Sequence, residues 1–522
     1  MTSRAEVALL LVATMMSAPL AAQDVVGAPR ANAAASQDQD AAAGTPPDAP
    51  DPGAAGGTDA ALGQAVGADA SGIDIGGSDP AGADTTGTNA GDTDATGADA
   101  AGLDGQDTTI DGQSPGDVSD PFGDTGSDPG QKSSRVTLIH ENSLSTTGAG
   151  IVNNRSSIRL EYAKYFLGDF FLQFDSKLTA FWSNDHRAKA EGDTLVLESI
   201  TPEAYLQYSQ PDSNNSYKLG VQKMIWGESE GGAITDVVSP RNASELFLIP
   251  LEESRLGQFM VAADRFTDHG HWSAFFVPSP RFNRYPKKGT AYYRPFFPDD
   301  AVVRSDPDLN DRHEYGLRWK KVHDRSDFSL MAASLIENDY AYDVVGVDGG
   351  GHLLVDRFAR RFGMVGATFN HVRGNFQFKG EIAYKSDKSF LDEALRSRSK
   401  AVVDSAFGVT YSLGGSRSLG MEWVNSHVIG WNRSLSTTPR NQGSLILNAN
   451  FTFLSDLLTV NWLTIVTRPN ASLQSSVRAS YQWRESTAFQ LDVHVVGDTD
   501  RDAALRTYRD TDQVALRVKY QF

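Results

Sequence analysis

The final segment of the chain alternates strictly between apolar and mostly polar residues. The apolar positions are Val514, Leu516, Val518, Tyr520 and Phe522. The intervening positions are Gln513, Ala515, Arg517, Lys519 and Gln521. A period of two residues is that of a β-strand with one apolar face. The sequence has no apolar run of the roughly 18 residues that a spanning helix needs, so a membrane-spanning form has to be a β-barrel, whose strands need only alternate.

Short alternating segments recur from Lys132 to the end of the chain. They predict about 18 strands, an even number, as bacterial single-chain barrels have. The predicted strands are 134–141, 155–165, 169–182, 197–209, 215–226, 256–266, 270–278, 313–323, 326–338, 358–372, 375–386, 400–413, 417–431, 443–454, 458–468, 471–484, 487–497 and 512–522.

Short and long connections alternate along most of this region. Short turns are predicted at 167–169, 324–326, 373–375, 414–416, 455–456 and 484–486. Longer connections are predicted at 183–196, 227–255, 279–312, 339–357, 387–399, 432–442 and 498–511. Outer-membrane barrels have short periplasmic turns and long external loops. The pattern therefore predicts an all-β fold, a transmembrane antiparallel β-barrel of about 18 strands over residues 132–522, with both of its ends in the periplasm.

Residues 1–22 have the pattern of a secretory signal peptide. Arg4 precedes an apolar segment at 7–16, and small residues lead to a cleavage site near Ala22. The alternative is a disordered or buried N-terminus. The chain has no cysteine, which excludes disulfide, thiol-nucleophile and cysteine–zinc sites.

Residues 23–131 are rich in Asp, Gly and Ala. They hold 20 Asp and one basic residue, Arg30, so their charge of −19 equals that of the whole chain. With almost no aromatic residues the segment cannot bury enough apolar surface to offset chain entropy, which predicts a disordered periplasmic linker. Calcium binding is the alternative, although no fixed nonapeptide period is present. Such a linker could reach the cell wall or an export partner in the periplasm or inner membrane.

The stretch from Val221 to Phe266 is the least ordinary part of the predicted barrel. A strand ends at Trp226-Gly227-Glu228, and the next polar landmarks are Asp236, Pro240, Arg241 and Asn242. These residues resemble a segment of the alginate-export porins and of a large group of uncharacterised Gram-negative outer-membrane barrels. The resemblance implies a loop that folds toward the pore of an 18-strand-type barrel. The terminal aromatic strand also resembles the form that the barrel-insertion machinery reads.

Charged residues are concentrated in this loop and on the strand that follows it. They are Glu228, Glu230, Asp236, Arg241, Glu252, Glu253, Arg255, Asp264 and Arg265. Opposed acids and bases at a constriction produce a transverse field that selects solutes. We therefore interpret these residues as a pore constriction. The alternative is a solvated external loop whose charges do nothing specific.

A second basic and aromatic segment lies between residues 278 and 300. Its basic residues are Arg281, Arg284, Lys287, Lys288 and Arg294, and six aromatic rings lie among them. Interleaved basic and aromatic residues can bind acidic or sugar-like ligands, so we interpret the five as lining the pore mouth. The alternative is packing against lipopolysaccharide phosphates at the outer surface. Nucleic acid is not predicted as a partner, although the pattern alone would permit it.

Metal and catalytic sites have little support in the sequence. His269 and His271 would share one strand face and offer a metal-binding alternative, but no third ligand is evident. No nucleophile elbow or other catalytic spacing is present. We therefore predict no metal, no cofactor and no enzyme.

These features predict a porin or export channel of the Gram-negative outer membrane that passes a solute or polymer through a charged, loop-constricted lumen. The alternatives are a non-transport barrel for adhesion or envelope scaffolding and, less favoured, an outer-membrane hydrolase. The predicted partners are outer-membrane lipid and lipopolysaccharide, the barrel-insertion machinery and the export partner named above. The sequence leaves the solute, the direction of transport and the oligomeric state open.

Overall fold

The computed structural model describes residues 132–522 except 149, 212, 230, 250, 307–311, 436–437 and 498–503. The predicted signal peptide, residues 1–22, and the predicted linker, residues 23–131, lie outside this range.

Eighteen antiparallel strands of the described chain form one closed barrel. Each pairs with the next barrel strand in sequence, and the last pairs with the first. The barrel strands are β1 (Lys132–Ser145), β2 (Ile151–Phe166), β3 (Phe170–Trp182), β4 (Leu195–Ser209), β5 (Asn215–Gln222), β6 (Gln258–Thr267), β7 (Gly270–Val277), β9 (Glu314–His323), β10 (Ser326–Ile336), β13 (Arg361–Arg373), β14 (Phe376–Leu391), β15 (Ser397–Ser412), β16 (Ser418–Ile429), β17 (Asn441–Phe453), β18 (Leu458–Arg468), β19 (Ser472–Arg484), β20 (Thr487–Val496) and β21 (Gln513–Gln521).

The remaining elements are short and lie in the long connections. A second sheet contains β8 (Val302–Ser305), β11 (Ala341–Val347) and β12 (Leu353–Phe358). The α-helices of the described chain are α1 (His186–Glu191) and α2 (Leu251–Ser254), and short 3₁₀ helices span Leu246–Leu248 and Ala504–Tyr508. Among the described residues, no helix is long and apolar enough to cross a bilayer.

The wall of the barrel has an exposed, apolar outer face and a buried inner face. On β16 the outward side chains of Met421 and Trp423 are 54% and 48% exposed. The inward side chains of Glu422 and Val424 are only 7% and 6% exposed. Large apolar side chains are exposed in the same way on the other barrel strands. In water each such side chain would forgo about 1.5–3 kcal/mol of burial free energy. A continuous band of this kind is typical of contact with lipid.

The two ends of the barrel differ. One end, called the turn end, carries the connections 167–169, 210–214, 268–269, 324–325, 374–375, 413–417, 454–457 and 485–486, together with the start of β1 and the end of β21. The other end, called the loop end, carries the longer connections 183–194, 223–257, 278–313, 337–360, 430–440 and 497–512. The backbones of Val136 and Phe522 exchange two hydrogen bonds of 3.0 Å at the closing seam.

The prediction of an antiparallel barrel of 18 strands is confirmed, and the structure corrects two local expectations. The predicted strand 215–226 ends at Gln222, because Met224 N–H donates to Ser239 Oγ (2.7 Å) and the chain turns into the barrel. The predicted long connection 387–399 is a five-residue turn, 392–396, because β14 and β15 extend further than expected.

Candidate functional site: segments folded into the barrel lumen

Residues 223–257, which we call the lumen loop, leave the wall after β5 and return to it at β6. The side chains of Trp226, Ile234 and Val238 are fully buried. They form an apolar cluster with inward-facing residues of the wall, including Met260, Phe275, Met331, Phe362, Met364, Val424 and Ile446. Since these wall residues alternate with the lipid-facing ones, the loop lies inside the barrel, where burial of apolar surface contributes about 25 cal/mol per Å².

The tip of the lumen loop is hydrogen-bonded to the wall. The carboxylate of Glu381 on β14 accepts the N–H groups of Glu228 and Ser229, and it accepts the N–H (3.2 Å) and the hydroxyl (2.9 Å) of Thr235. The hydroxyl of Ser229 donates to Glu422 on β16. Along the barrel, β14 and β16 are five and seven strands away from β6, so the loop reaches well across the lumen.

Two glycines allow this close approach. A Cβ on Gly231 would lie 2.0 Å from Cδ1 of Ile446, and a Cβ on Gly232 would lie 2.9 Å from Cγ1 of Val424. The backbone of the lumen loop therefore contacts the wall directly, where a side chain would hold it away.

The other side of the lumen loop is bound to the opposite wall. Glu245 forms an ion pair with Arg155 on β2, in which Arg155 Nη2 donates to Oε2 at 2.8 Å. Glu253 Oε2 lies 2.5 Å from Lys177 Nζ on β3. In the order of strands around the barrel, β2 and β14 are nine of 18 positions apart. The lumen loop thus connects diametrically opposite walls.

These ion pairs shift the pKa values of the two loop carboxyls. Burial opposes ionisation of Glu245, but Arg155 and His186 outweigh it and hold the pKa of Glu245 well below its ordinary value. Lys177 lowers the pKa of Glu253 against a smaller opposing effect of burial. Both carboxyls are therefore charged at neutral pH.

Asp236 lies at the centre of the lumen loop between two arginines. Its Oδ2 accepts from Arg241 Nη2 (2.7 Å) and from Arg255 Nε (2.9 Å), and all three residues are buried. Burial raises the pKa of Asp236, but the two guanidinium groups more than offset this and leave the pKa below its ordinary value. The structure brings together three of the residues that the sequence assigned to the constriction.

Glu228 meets a polar row on the wall at the loop tip. Its Oε1 is 4.0 Å from Nζ of Lys320, which also lies 3.5 Å from Asp327 Oδ2. The pKa of Glu228 is raised by burial and by Asp327, against the effect of nearby cations. Strand register places Lys320, Ser329, Thr368 and Glu381 at one level on four successive strands.

The wall opposite this row carries a continuous chain of charges. Arg155 Nη2 lies 2.5 Å from Glu141 Oε1, and Glu141 also pairs with Arg517. Asp492 then bridges Arg517 Nη1 (3.0 Å) and Arg478 Nε (2.5 Å). These residues occupy inward positions on β2, β1, β21, β20 and β19, and we call them the charged wall. The charged wall was not predicted from the sequence. A charged residue between apolar neighbours, such as Arg517, was the sequence signal that indicates an inward position on a strand.

Residues 278–301, which we call the mouth segment, also fold over the lumen. Arg284 N–H donates to the carbonyl of Arg241 (2.9 Å), and Ala243 N–H donates to the carbonyl of Arg284 (2.7 Å). The mouth segment therefore lies against the lumen loop. At its far end, Tyr292 Oη donates to Gln513 Oε1 on β21 (2.9 Å).

The five basic residues predicted to line the pore mouth all contact protein groups. Arg281 donates to the carbonyl of Gly257 (3.1 Å) and Arg294 to that of Thr507 (2.9 Å). The other three form ion pairs, which are Arg284 with Glu198, Lys287 with Glu191 (3.5 Å) and Lys288 with Asp299 (3.0 Å).

A cavity of about 590 Å³ lies between the two inward segments and the wall strands β14 to β17. Its lining includes ten aromatic side chains, which define what we call the aromatic vestibule: Tyr285, Tyr292, Tyr293, Phe296, Phe297, Tyr340, Tyr342, Phe362, Phe390 and Tyr508. Within it, Tyr285 Oη and Asn283 Nδ2 donate to the carboxyl of Asp339. Burial raises the pKa of Asp339 despite these two hydrogen bonds.

The remaining predicted site residues lie elsewhere. Glu230 and the side chain of Glu252 are outside the described part of the structure. Asp264 lies on the inner face of β6 near the turn end, where His271 Nε2 is 2.8 Å from its Oδ1. Arg265 is on the opposite, lipid-facing side of that strand and is exposed. In the part of the chain that is described, neither His269 nor His271 belongs to a group of three or more side chains that could bind a metal.

The described chain is thus a closed antiparallel β-barrel of 18 strands with two segments folded into its lumen. Residues 198–468 match the model of the family described as Protein of unknown function (DUF1302). This is just over half of the chain, and the chain belongs to that family. Comparison with curated protein sequences gives no significant match. The relationship to alginate-export porins stays a prediction.

Three solved structures match most of this chain at low identity. OpdK of Pseudomonas aeruginosa is 10% identical with a TM-score of 0.44, covering 75% of this chain and 99% of OpdK. OccAB2 of Acinetobacter baumannii is 9% identical with a TM-score of 0.43, covering 75% and 98%. OmpF of Salmonella typhi, in complex with daunomycin, is 10% identical with a TM-score of 0.40, covering 76% and 98%.

Proposed function

We propose that this protein is an outer-membrane channel that passes a small solute through a charged, loop-constricted lumen. The supporting observation is the lumen loop, which bridges opposite walls between Glu381 and Arg155. A barrel of 18 strands is otherwise wide enough for an aqueous channel. A segment fixed across such a lumen narrows the path and places charges along it.

The two faces of the path have different chemistry. One side of the lumen loop packs on the apolar cluster, and the other side faces the alternating acids and bases of the charged wall. A solute that passes between the lumen loop and the charged wall experiences a transverse field, because the charges of opposite sign are fixed and partly desolvated. The cavity of about 590 Å³ above this path fits a small molecule. We therefore favour a small solute over a polymer.

Conductance of the purified protein in a planar bilayer tests the proposal. We expect ion current through the wild type and a larger current after residues 228–252 are replaced by a short linker. A matched deletion of 346–352, the tip of the β11–β12 hairpin, should leave the current unchanged. Equal currents from wild type and the 228–252 deletion would exclude the lumen loop as a constriction.

A closed barrel for adhesion or envelope scaffolding is the second candidate. The apolar cluster around Trp226 and Val238 favours it, because this cluster fills one side of the lumen with close-packed side chains. Absence of current in the wild type, with current restored by the 228–252 deletion, would support a plugged barrel over a channel.

We place the protein in the outer membrane, with residues 23–131 in the periplasm. The apolar outer face of the strands supports the membrane location, and the start of β1 at the turn end supports the orientation. The proposed partners are outer-membrane lipid and lipopolysaccharide, the barrel-insertion machinery and an export partner reached by the acidic segment. Unchanged transport after deletion of residues 24–131 would argue against that last partner.

A further inference from the structure

The aromatic vestibule lies directly above the lumen loop and has the composition of a ligand site. Asp236 and Arg241 of the lumen loop are part of its lining, as are Lys385 and Asp404 of the wall. The cavity volume of about 590 Å³ lies within the range that is usual for small-molecule sites.

Aromatic rings dominate one part of the vestibule. Phe296, Phe297 and Tyr342 are mutually in contact, with ring centroids 4.5 to 6.0 Å apart and tilted or edge-on orientations. Faces and edges of such rings bind flat ring systems by offset stacking or edge-to-face contact. This part of the lining favours a planar, ring-bearing solute.

Most charges in the lining are already paired with a charge of opposite sign. Lys385 Nζ is 2.6 Å from Asp404, Lys388 Nζ is 3.6 Å from Glu337 and Lys288 Nζ is 3.0 Å from Asp299, while Arg241 binds Asp236. These four ion pairs contribute little net charge to the cavity.

Two guanidinium groups differ from the rest. Arg357 donates to the hydroxyl of Ser305 (2.8 Å) and lies over the ring of Tyr340 at 4.4 Å from its centroid. Arg294 donates to backbone carbonyls and lies 5.1 Å from the ring centroid of Tyr508. Among the described residues, neither guanidinium is within ion-pairing distance of a carboxylate.

The lining holds one carboxyl without a cationic partner at ion-pairing distance within the described chain, that of Asp339. It is half-buried and bonded to the neutral donors Asn283 and Tyr285. The lining holds six cationic side chains and five carboxyls. The balance of charge in the cavity is therefore positive. Guanidinium groups form bidentate hydrogen bonds with carboxylates.

We propose that the aromatic vestibule binds small aromatic carboxylates, with the ring among Phe296, Phe297 and Tyr342 and the carboxylate on Arg357 or Arg294. This assignment deepens the proposed channel by naming the class of solute, and it relies on that function for its biological meaning. Binding to the vestibule can nevertheless be measured without any current.

The test is isothermal titration calorimetry of the full-length protein in detergent micelles. The probe is benzoate, which has a ring and a carboxylate. Three comparison compounds each alter one feature: acetate lacks the ring, benzamide lacks the charge and benzylammonium reverses it. We expect benzoate to bind at least about tenfold more tightly than each of the three, a difference of about 1.4 kcal/mol.

Variants locate the site. R357Q or R294Q, whichever arginine holds the carboxylate, should weaken benzoate binding about tenfold while leaving benzamide unaffected. F297L should weaken both compounds. R304Q is the matched control, because Arg304 is on neighbouring β8, pairs with Asp356 and does not line the cavity. Each variant should retain the thermal unfolding midpoint of the wild type, which separates loss of binding from misfolding.

Four results would overturn the assignment. They are no measurable benzoate binding, acetate binding as tightly as benzoate, benzamide binding as tightly as benzoate, and R357Q and R294Q behaving like R304Q. The channel proposal fails separately, through absence of current. Current without benzoate binding removes only the solute assignment, and benzoate binding without current removes only the channel.

Discussion

Thr235 in the lumen loop donates both its backbone N–H, at 3.2 Å, and its hydroxyl, at 2.9 Å, to one carboxylate oxygen of Glu381 on β14. The other oxygen of Glu381 accepts from the backbone of Glu228 and Ser229. A single wall residue thus satisfies the polar groups on both sides of the loop tip. The buried loop backbone would otherwise lack acceptors.

Replacing Glu381 should release the loop tip. Alanine leaves three backbone N–H groups and one hydroxyl without their acceptor, and each buried donor left unsatisfied costs roughly 1–3 kcal/mol. We expect E381A to show higher single-channel conductance and more frequent current fluctuations than the wild type. Planar-bilayer recording measures both quantities.

The matched variant is E161Q. Glu161 is also an inward carboxylate, but it lies near Arg135 and Arg159 on the wall, away from the loop tip. If E381A and E161Q give the same conductance and noise, Glu381 does not position the loop.

Loss of the charge on Asp236 should loosen the middle of the lumen loop. D236N removes the carboxylate that both Arg241 and Arg255 bind, and breaking such a buried pair costs about 3–5 kcal/mol. We expect a lower thermal unfolding midpoint in detergent and a larger conductance at pH 7. D175N is a suitable comparison, because Asp175 pairs with Arg159 on the wall and does not contact the loop.

The carboxyl of Asp236 also makes the stability of the protein depend on pH, and the sign of this dependence follows from the direction of its pKa shift. Its pKa in the folded protein lies below the ordinary value of 3.8. Its contribution to stability is therefore complete above that value and is lost as the pH falls through the folded-state pKa. Between pH 7 and pH 4 we expect no change in wild-type conductance from this group. A conductance change between pH 7 and pH 4 that is present in the wild type and absent in D236N would contradict this assignment.

The strands could be predicted from the sequence because their signal is local. Alternation within each segment, as in Met421 to Val424, reports directly which side faces lipid. The strand ends were less predictable where the chain turns inward. After Gln222 the apolar pattern continues through Ile225 and Trp226, but these side chains belong to the lumen loop, which local periodicity cannot distinguish from a longer strand.

The site was predictable only in part, for a related reason. The clustering of charge marked Asp236, Arg241 and Arg255, which are close in sequence. Glu381 and Arg155 are separated from their loop partners by 146 and 90 residues. Their role depends on barrel register and on which strands face each other across the lumen. Single-sequence reasoning has no access to that relationship.

The charged wall should set the ion selectivity. R155Q removes one cation and leaves Glu141 and Glu245 without that partner. At 4 Å in water, one charge changes the energy of a passing ion by about 1 kcal/mol, with opposite sign for cations and anions. The cation-to-anion permeability ratio should therefore rise by up to roughly 30-fold. The reversal potential in a potassium chloride gradient measures this ratio.

Arg265 provides the control for R155Q, because it lies on the lipid-facing side of β6. R265Q should leave the reversal potential unchanged. Were R155Q to give no shift either, the charged wall would not line the path of the ions.

Gly257 fixes the point at which the lumen loop rejoins the wall. A Cβ there would lie 1.9 Å from the carbonyl oxygen of Pro202 on β4, a backbone atom that cannot rotate away. G257A should therefore displace the end of the loop and lower the free energy of unfolding by about 1–3 kcal/mol, the usual cost of overpacking. The unfolding midpoint in detergent measures the effect. G349A is the control, because a Cβ on Gly349 meets no atom within 4 Å. If both variants unfold at the wild-type midpoint, β4 does not pack against this point of the loop.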